Sequence, residues 1–250
     1  MSAGIPATSG GPHIQSQKLF IVSMITGLAA IFLQGYTAAY VFILIPLIWP
    51  AFVGSANGVR SLASYGLGTG TSSIGYWGTA VGATAVYTGM LLGMNPVVEI
   101  AIALAGGAIT GICAQKIIKM RIPVMIKESA ILAASTAVII RFLAGLFPEQ
   151  VTLLYPLLYI AVTLAVLHPY NGSMGAGENQ RRTLWLSGVE ASMTTAVFGL
   201  VLLLMAPSLT SAGIILVSAL GFGICIRGWY RMVKNEIYGM SWTGFPPAEH

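Results

Sequence analysis

Residues 184–226 read LWLSGVEASMTTAVFGLVLLLMAPSLTSAGIILVSALGFGICI and contain one charged side chain, Glu190. Two predominantly apolar runs, 184–205 and 208–226, meet at Ala206-Pro207-Ser208. A helix needs about 20 mostly apolar residues to cross a bilayer, because each residue rises only by roughly 1.5 Å. Both runs reach that length, and the proline between them marks a turn. The apolar positions are continuous and do not alternate with polar ones, which argues against a membrane β-barrel. The stretch reads as a helical hairpin in lipid.

The same pattern extends through the 250 residues. Further spans are expected at 19–34, 38–56, 74–94, 97–115, 122–146 and 151–168. The connectors carry breakers: Asn95-Pro96, Pro148-Glu149 and Pro169-Tyr170-Asn171-Gly172. Two connectors are expected to be long, 57–73 and 169–183. The fold class is therefore all-α, a polytopic transmembrane helical bundle of about eight spans. The front is tight, because 19–59 holds no charge yet must supply two spans. One tilted span with an interfacial segment around Pro46 to Pro50 is the alternative. It gives seven spans and an outside N-terminus. By organisation, 1–18 is an irregular cytoplasmic tail, 19–226 the transmembrane domain and 227–250 a cytoplasmic basic tail.

Composition agrees. Hydrophobic residues make up 56% and charged residues 8%, against roughly 25% charged in an ordinary soluble domain. Mean hydropathy is +0.83. There is no Asp, and there are seven Glu. Too few charges are present to coat a soluble globule of this size, so soluble enzyme, nucleic-acid binder and disordered chain are excluded. The net charge of +5 comes from clusters beside the apolar runs. With a cytoplasmic N-terminus and eight spans, of 12 cations only Arg141 falls toward the opposite face. That asymmetry is the positive-inside signal. Both termini are accordingly expected in the cytoplasm, with the chain a multi-pass protein of the cell membrane. Cys113 and Cys225 lie in apolar runs and read as small buried hydrophobes. Gly78 with Gly82, Gly89 with Gly93 and Gly107 with Gly111 are candidate close contacts between helices.

The most unusual connector runs Ser64-Tyr65-Gly66-Leu67-Gly68-Thr69-Gly70-Thr71-Ser72-Ser73. Alternating glycines free the backbone, and such a segment could re-enter the membrane where it lines protein or water. Its carbonyls and the hydroxyls of Thr69, Thr71, Ser72 and Ser73 could ligate a hard cation such as sodium. A tightly packed turn is the plainer alternative. The second long connector holds Glu178, Arg181 and Arg182, which suit docking of another protein chain; a solvated loop is the plainer alternative there. Charges inside spans are costly and are functional candidates. Glu99 and Arg141 lie at matching depth in adjacent spans and are expected to form a structural ion pair. Glu128 can be offset by Lys127. Glu190 has no partner in its own helix and is the foremost candidate for a sodium or proton site. No catalytic constellation and no His/Cys cluster at metal-ligand spacing occurs in the sequence.

Arg60-Ser61-Leu62-Ala63-Ser64-Tyr65-Gly66-Leu67-Gly68-Thr69-Gly70, running on to Ser73-Ile74-Gly75, resembles the C subunits of the archaeal tetrahydromethanopterin S-methyltransferases. So does His168-Pro169-Tyr170-Asn171, followed by Gly175, Glu178, Gln180, Arg182, Thr183 and Leu184. Where a Gly-Pro-Asn-Glu-like run is expected, this chain has Gly175-Ala176-Gly177-Glu178. The resemblance implies a complex that transfers a methyl group from a pterin carrier to coenzyme M through a corrinoid on another chain. It implies coupling of that transfer to sodium export. It also implies an integral membrane chain beside the D and E subunits and the corrinoid-bearing A subunit, in contact with lipid and not with nucleic acid. This chain would bind no cofactor itself, and the ion-binding carboxylate would lie on the E subunit. A stand-alone secondary transporter is the competing reading and would show an internal repeat with polar midplane residues. A membrane-embedded lipid enzyme would need clustered acids or histidines at one interface, and the sequence shows none.

Overall fold

A computed structural model describes residues 16–35, 41–63, 68–119, 122–171 and 180–239. Among the described residues there are eight helices and no strand. They are α1 (Ser16–Gln34), α2 (Val41–Ala63), α3 (Gly68–Leu91), α4 (Pro96–Lys116), α5 (Met125–Ala144), α6 (Val151–Asn171), α7 (Gln180–Met205) and α8 (Leu209–Gly239). Each corresponds to one expected span. Six of them, α1, α2, α4, α6, α7 and α8, are long and apolar enough to cross a membrane. The chain is a multi-pass membrane protein with an all-helical bundle.

The two remaining helices are long enough, at 24 residues for α3 and 20 for α5. They span about 36 and 30 Å at roughly 1.5 Å per residue. What they lack is apolarity. α3 is rich in Gly and Thr, and α5 carries Lys127, Glu128 and Arg141. α5 nevertheless sits at the centre, packed by α1, α2, α3, α4 and α6. Of its 20 residues, those from Ile131 to Ile140 are all buried. A helix enclosed by protein need not satisfy lipid on any face, so its polar groups are tolerated where partners exist.

Several boundaries differ from expectation. The supposed connector 57–73 is mostly helix, because 57–63 closes α2 and 68–73 opens α3. The irregular backbone expected for Gly68 to Ser73 is therefore absent. The connector 169–183 narrows likewise, with α6 reaching Asn171 and α7 starting at Gln180. α8 continues past residue 226 to Gly239, so the first part of the basic tail is helical. Pro46 and Pro50 lie inside α2 and not in an interfacial segment. The hydroxyl of Ser23 on α1 donates across to Pro50 O at 2.7 Å, beside this proline-weakened turn.

The glycine pairs divide by role. A Cβ on Gly82 would lie 2.5 Å from Ala133 O, and one on Gly107 2.5 Å from Ser129 O. Only glycine permits α3 and α4 to approach the α5 backbone that closely. Gly89 and Gly93 are not a pair of this kind. Gly93 has φ +65° and ends α3, with Met94 N donating to Gly89 O at 2.8 Å. That is the left-handed helix stop for which glycine is preferred. Asn95 then caps α4, accepting from Val97 N at 2.9 Å, with Pro96 in the first turn.

Candidate functional site

The start of α3 packs on the end of α6, and the end of α6 in turn meets α7 at Glu190. At Gly75 on α3, an added Cβ would meet Leu167 of α6 and, at 3.7 Å, Val59 of α2. The next residue of α6, His168, turns to α7, where Nδ1 contacts Glu190 Oε1. The side chain of Glu190 is 16% exposed and that of His168 57%. Glu190 thus has a partner on a neighbouring helix. With a protonated imidazole the contact is an ion pair. With a neutral ring it is a hydrogen bond from Nδ1–H. Thr69, Thr71, Ser72 and Ser73 lie in the opening turns of α3; their side chains are outside the described residues, as is Glu178. Arg181 is exposed at the start of α7, whereas Arg182 is buried in this chain.

Toward the opposite end of the bundle, Glu99 of α4 and Arg141 of α5 meet as expected, Nε to Oε2 at 2.9 Å. The carboxylate is fully buried and the arginine side chain 21% exposed. The two groups are within ion-pair distance, and charge attraction contributes to the contact. Gly89 of α3 makes room for it, since a Cβ there would lie 2.9 Å from Glu99 Oε1. Beside it, Tyr155 of α6 donates its hydroxyl to Ala83 O of α3 and stacks obliquely on Tyr87 at 4.6 Å. The third carboxylate, Glu128, is fully buried and lies 3.1 Å from Lys127 Nζ, which is 43% exposed. Oε2 of Glu128 faces Gly58 of α2.

Sequence reasoning found two of the three charge pairs. For the third it singled out Glu190 and did not identify His168 as its partner. It marked Gly89 as a close contact without tying it to Glu99, and it missed the Tyr155 bond to α3. The signal for Gly89 is its position in the last turn of α3, opposite Glu99 in the first turn of α4. Among the described residues no group of three His, Cys, Asp or Glu side chains is placed to hold a metal. What the arrangement offers is a set of intramembrane carboxylates, each tied to a cation or an imidazole, inside a bundle tightened by interhelical hydroxyl contacts. One of these joins Thr195 of α7 to Ser218 of α8 at 2.9 Å.

The family model for the C subunit of tetrahydromethanopterin S-methyltransferase matches residues 1–250. Among curated proteins, the C subunit from Methanothermobacter thermautotrophicus is 30% identical over 275 residues, covering 100% of this chain and 98% of that one. Its counterpart in Methanosarcina acetivorans is 32% identical over 267 residues, with 99% and 98% covered. The Methanopyrus kandleri counterpart is 31% identical over 254 residues, with 94% and 90% covered.

Proposed function

Since the chain belongs to the family of C subunits of tetrahydromethanopterin S-methyltransferase, we propose that it is a non-catalytic membrane subunit that frames a sodium pathway. The methyl transfer, from the pterin to coenzyme M, would take place on other chains of the complex. A corrinoid would be held by the A subunit, and the D and E subunits would complete the membrane part. The chain itself is a subunit of the methyltransferase complex and an integral membrane protein. Its match to that family over the full length disfavours a stand-alone transporter.

One observation carries the reading. Each described intramembrane carboxylate, Glu99, Glu128 and Glu190, already has a cationic or imidazole partner in this chain. Buried charges in membranes persist when compensated. A bundle that compensates its own acids is suited to shaping a route and to presenting a rigid wall to a neighbour that holds the ion. Glu190 is the acid with the softest compensation, since its partner is a histidine 57% exposed. With Thr69, Thr71, Ser72 and Ser73 at the start of α3, which packs on α6, it would form the cytoplasmic approach to the pathway. The basic clusters support a reading with both termini in the cytoplasm and the chain in the cell membrane. Arg181 and Arg182 at the start of α7 would face cytoplasmic partners on that side; Glu178, expected with them, lies outside the described residues. A conformational change driven by methyl transfer would alter ion affinity in the membrane part, which is coupling between two sites in the thermodynamic sense.

The test is Glu190→Gln in the assembled complex, with methyl transfer measured against sodium concentration. The expected result is retained maximal turnover with several-fold more sodium required. Unchanged sodium dependence removes Glu190 from the pathway. Methyl transfer by the purified chain alone would overturn the non-catalytic assignment.

A further inference from the structure

α3 packs on α2, α4, α5 and α6 and leaves one face open. Its inner face lies on α5, where Gly78 meets Leu132 and Gly82 meets the backbone of Ala133. Its outer face is open at Trp77, Thr84 and Thr88, with Trp77 64% exposed. In the expected span 74–94, Thr84 stands at the midpoint and Trp77 about 10 Å nearer the start, at roughly 1.5 Å per residue. Lipid chains at the depth of Thr84 offer no partner to a hydroxyl. The other open faces follow the lipid rule. α4 presents Val98, Ile102, Leu104 and Ile109, and α8 presents Leu216, Leu220 and Ile224. Thr79 and Thr110 turn their hydroxyls back onto their own helices, to Tyr76 O and Gly106 O at 2.9 Å each.

Beside Trp77 and Thr84 runs a cavity of about 360 Å³ between α3 and α4, open to the outside of the bundle. Ala80, Ala85, Gly89 and Gly106 hollow it out. Its walls are almost wholly carbon apart from the threonine hydroxyls. Its volume suits one or two bulky side chains, with hydroxyls at the rim to fix their helix in register.

We infer that this face of α3 and α4 docks a transmembrane helix of an unlike chain of the methyltransferase. That helix inserts a large apolar side chain between Ala80 and Gly106 and offers hydrogen-bonding groups to Thr84, Thr88 and Trp77. The polar groups at mid-span select protein over lipid as the cover. α3 is not among the six helices apolar enough to cross a membrane, and its face at Thr84 and Thr88 is uncovered among the described residues. Membership in a family that is one component of a multi-chain enzyme selects an unlike chain over a second copy. The inference rests on that membership and is independent of where sodium binds.

A photoreactive residue in place of Thr84, in the full complex in its own membrane, tests it. An identical substitution for Leu216 on α8 serves as the lipid-facing control. The expected result is an adduct at 84 with an unlike membrane chain of the complex, identified by mass, in a yield several-fold above that at 216. An adduct with a second copy, an adduct with lipid only, or no adduct overturns the assignment. A complementary variant, Ala80→Trp, fills the cavity. It is expected to cut co-purifying membrane partners roughly tenfold, the loss of one interface hot spot, with the chain's own abundance in the membrane maintained. If abundance falls as well, the cross-link at 84 decides alone. Recovery of the native chain with no unlike partner would defeat the proposed membership of a complex itself, whereas an intact complex with lipid-only adducts defeats only this surface.

Discussion

α3 and α5 are the two helices whose composition would not carry them across lipid alone, and they are sheltered in opposite ways. α5 brings three charges and is enclosed by five helices of its own chain. Each charge finds a partner there, Arg141 with Glu99 and Lys127 with Glu128. α3 brings hydroxyls and glycines, and besides its contacts with α2, α4, α5 and α6 it keeps an open groove on one face. The difference teaches that polarity in a membrane helix reports where protein must lie. When the chain itself supplies that protein, the helix is central. When it does not, the helix points to a partner.

The largest effect should come from breaking the self-sufficiency of α5. Arg141→Met leaves the Glu99 carboxylate fully buried without its counter-charge. Removing one member of a buried pair typically costs about 3–5 kcal/mol. The lower end applies because Arg141 is 21% exposed and water can partly compensate. The double variant Glu99→Gln with Arg141→Met should recover most of the loss, since it removes the charge together with its partner. Thermal unfolding of the purified complex, read on this chain, checks both. A double variant as unstable as the single would show that packing and not charge holds this corner.

Next in size is the seam between the two helices. Gly82→Leu places side-chain atoms where the Ala133 carbonyl now stands. Overpacking of a tight contact costs about 1–3 kcal/mol, and here the neighbour is backbone, which cannot rotate aside. The chain should accumulate less and unfold earlier. Gly93→Leu would be the wrong control, because its positive φ strains any side chain. Leu220→Ala on the open face of α8 is a better one and should change little.

The two helices also differ in how much could be read from the sequence. The spans were legible because apolar run length is a direct image of lipid thickness. Their extensions were not. Residues 57–63, 68–73 and 227–239 are polar, glycine-rich or basic, yet they remain helical beyond the apolar zone. Hydropathy sees lipid and is blind to backbone hydrogen bonds that continue into the headgroup region. The charge pairs sort by register. Glu99 stands three residues from the start of α4 and Arg141 three from the end of α5, so a simple antiparallel hairpin aligns them. His168 stands three residues from the end of α6, while Glu190 stands ten from the start of α7. Only a stagger of those helices brings them together, and sequence spacing does not encode it. The Gly-rich segment misled for a related reason. Glycine permits irregular backbone but does not require it, and packing of Gly75 against Leu167 and Val59 favours a regular helix there.

The smallest effect is the most discriminating. Thr84→Val removes one hydroxyl from the open face of α3 and keeps its shape. In the isolated chain, that face meets detergent or lipid, so stability should stay within about 0.5 kcal/mol, as for other surface changes. In the complex, an interhelical hydrogen bond inside a membrane is worth about 0.6 kcal/mol on average, so association with the partner chain should weaken about threefold. Measuring both states of the same variant separates the two kinds of shelter. A residue sheltered by its own chain, such as Thr195 against Ser218, should show its cost already in isolation. A residue sheltered by a partner shows it only after assembly. Equal effects of Thr84→Val in both states would mean that α3, like α5, is stabilised from within, and the contrast between the two helices would collapse.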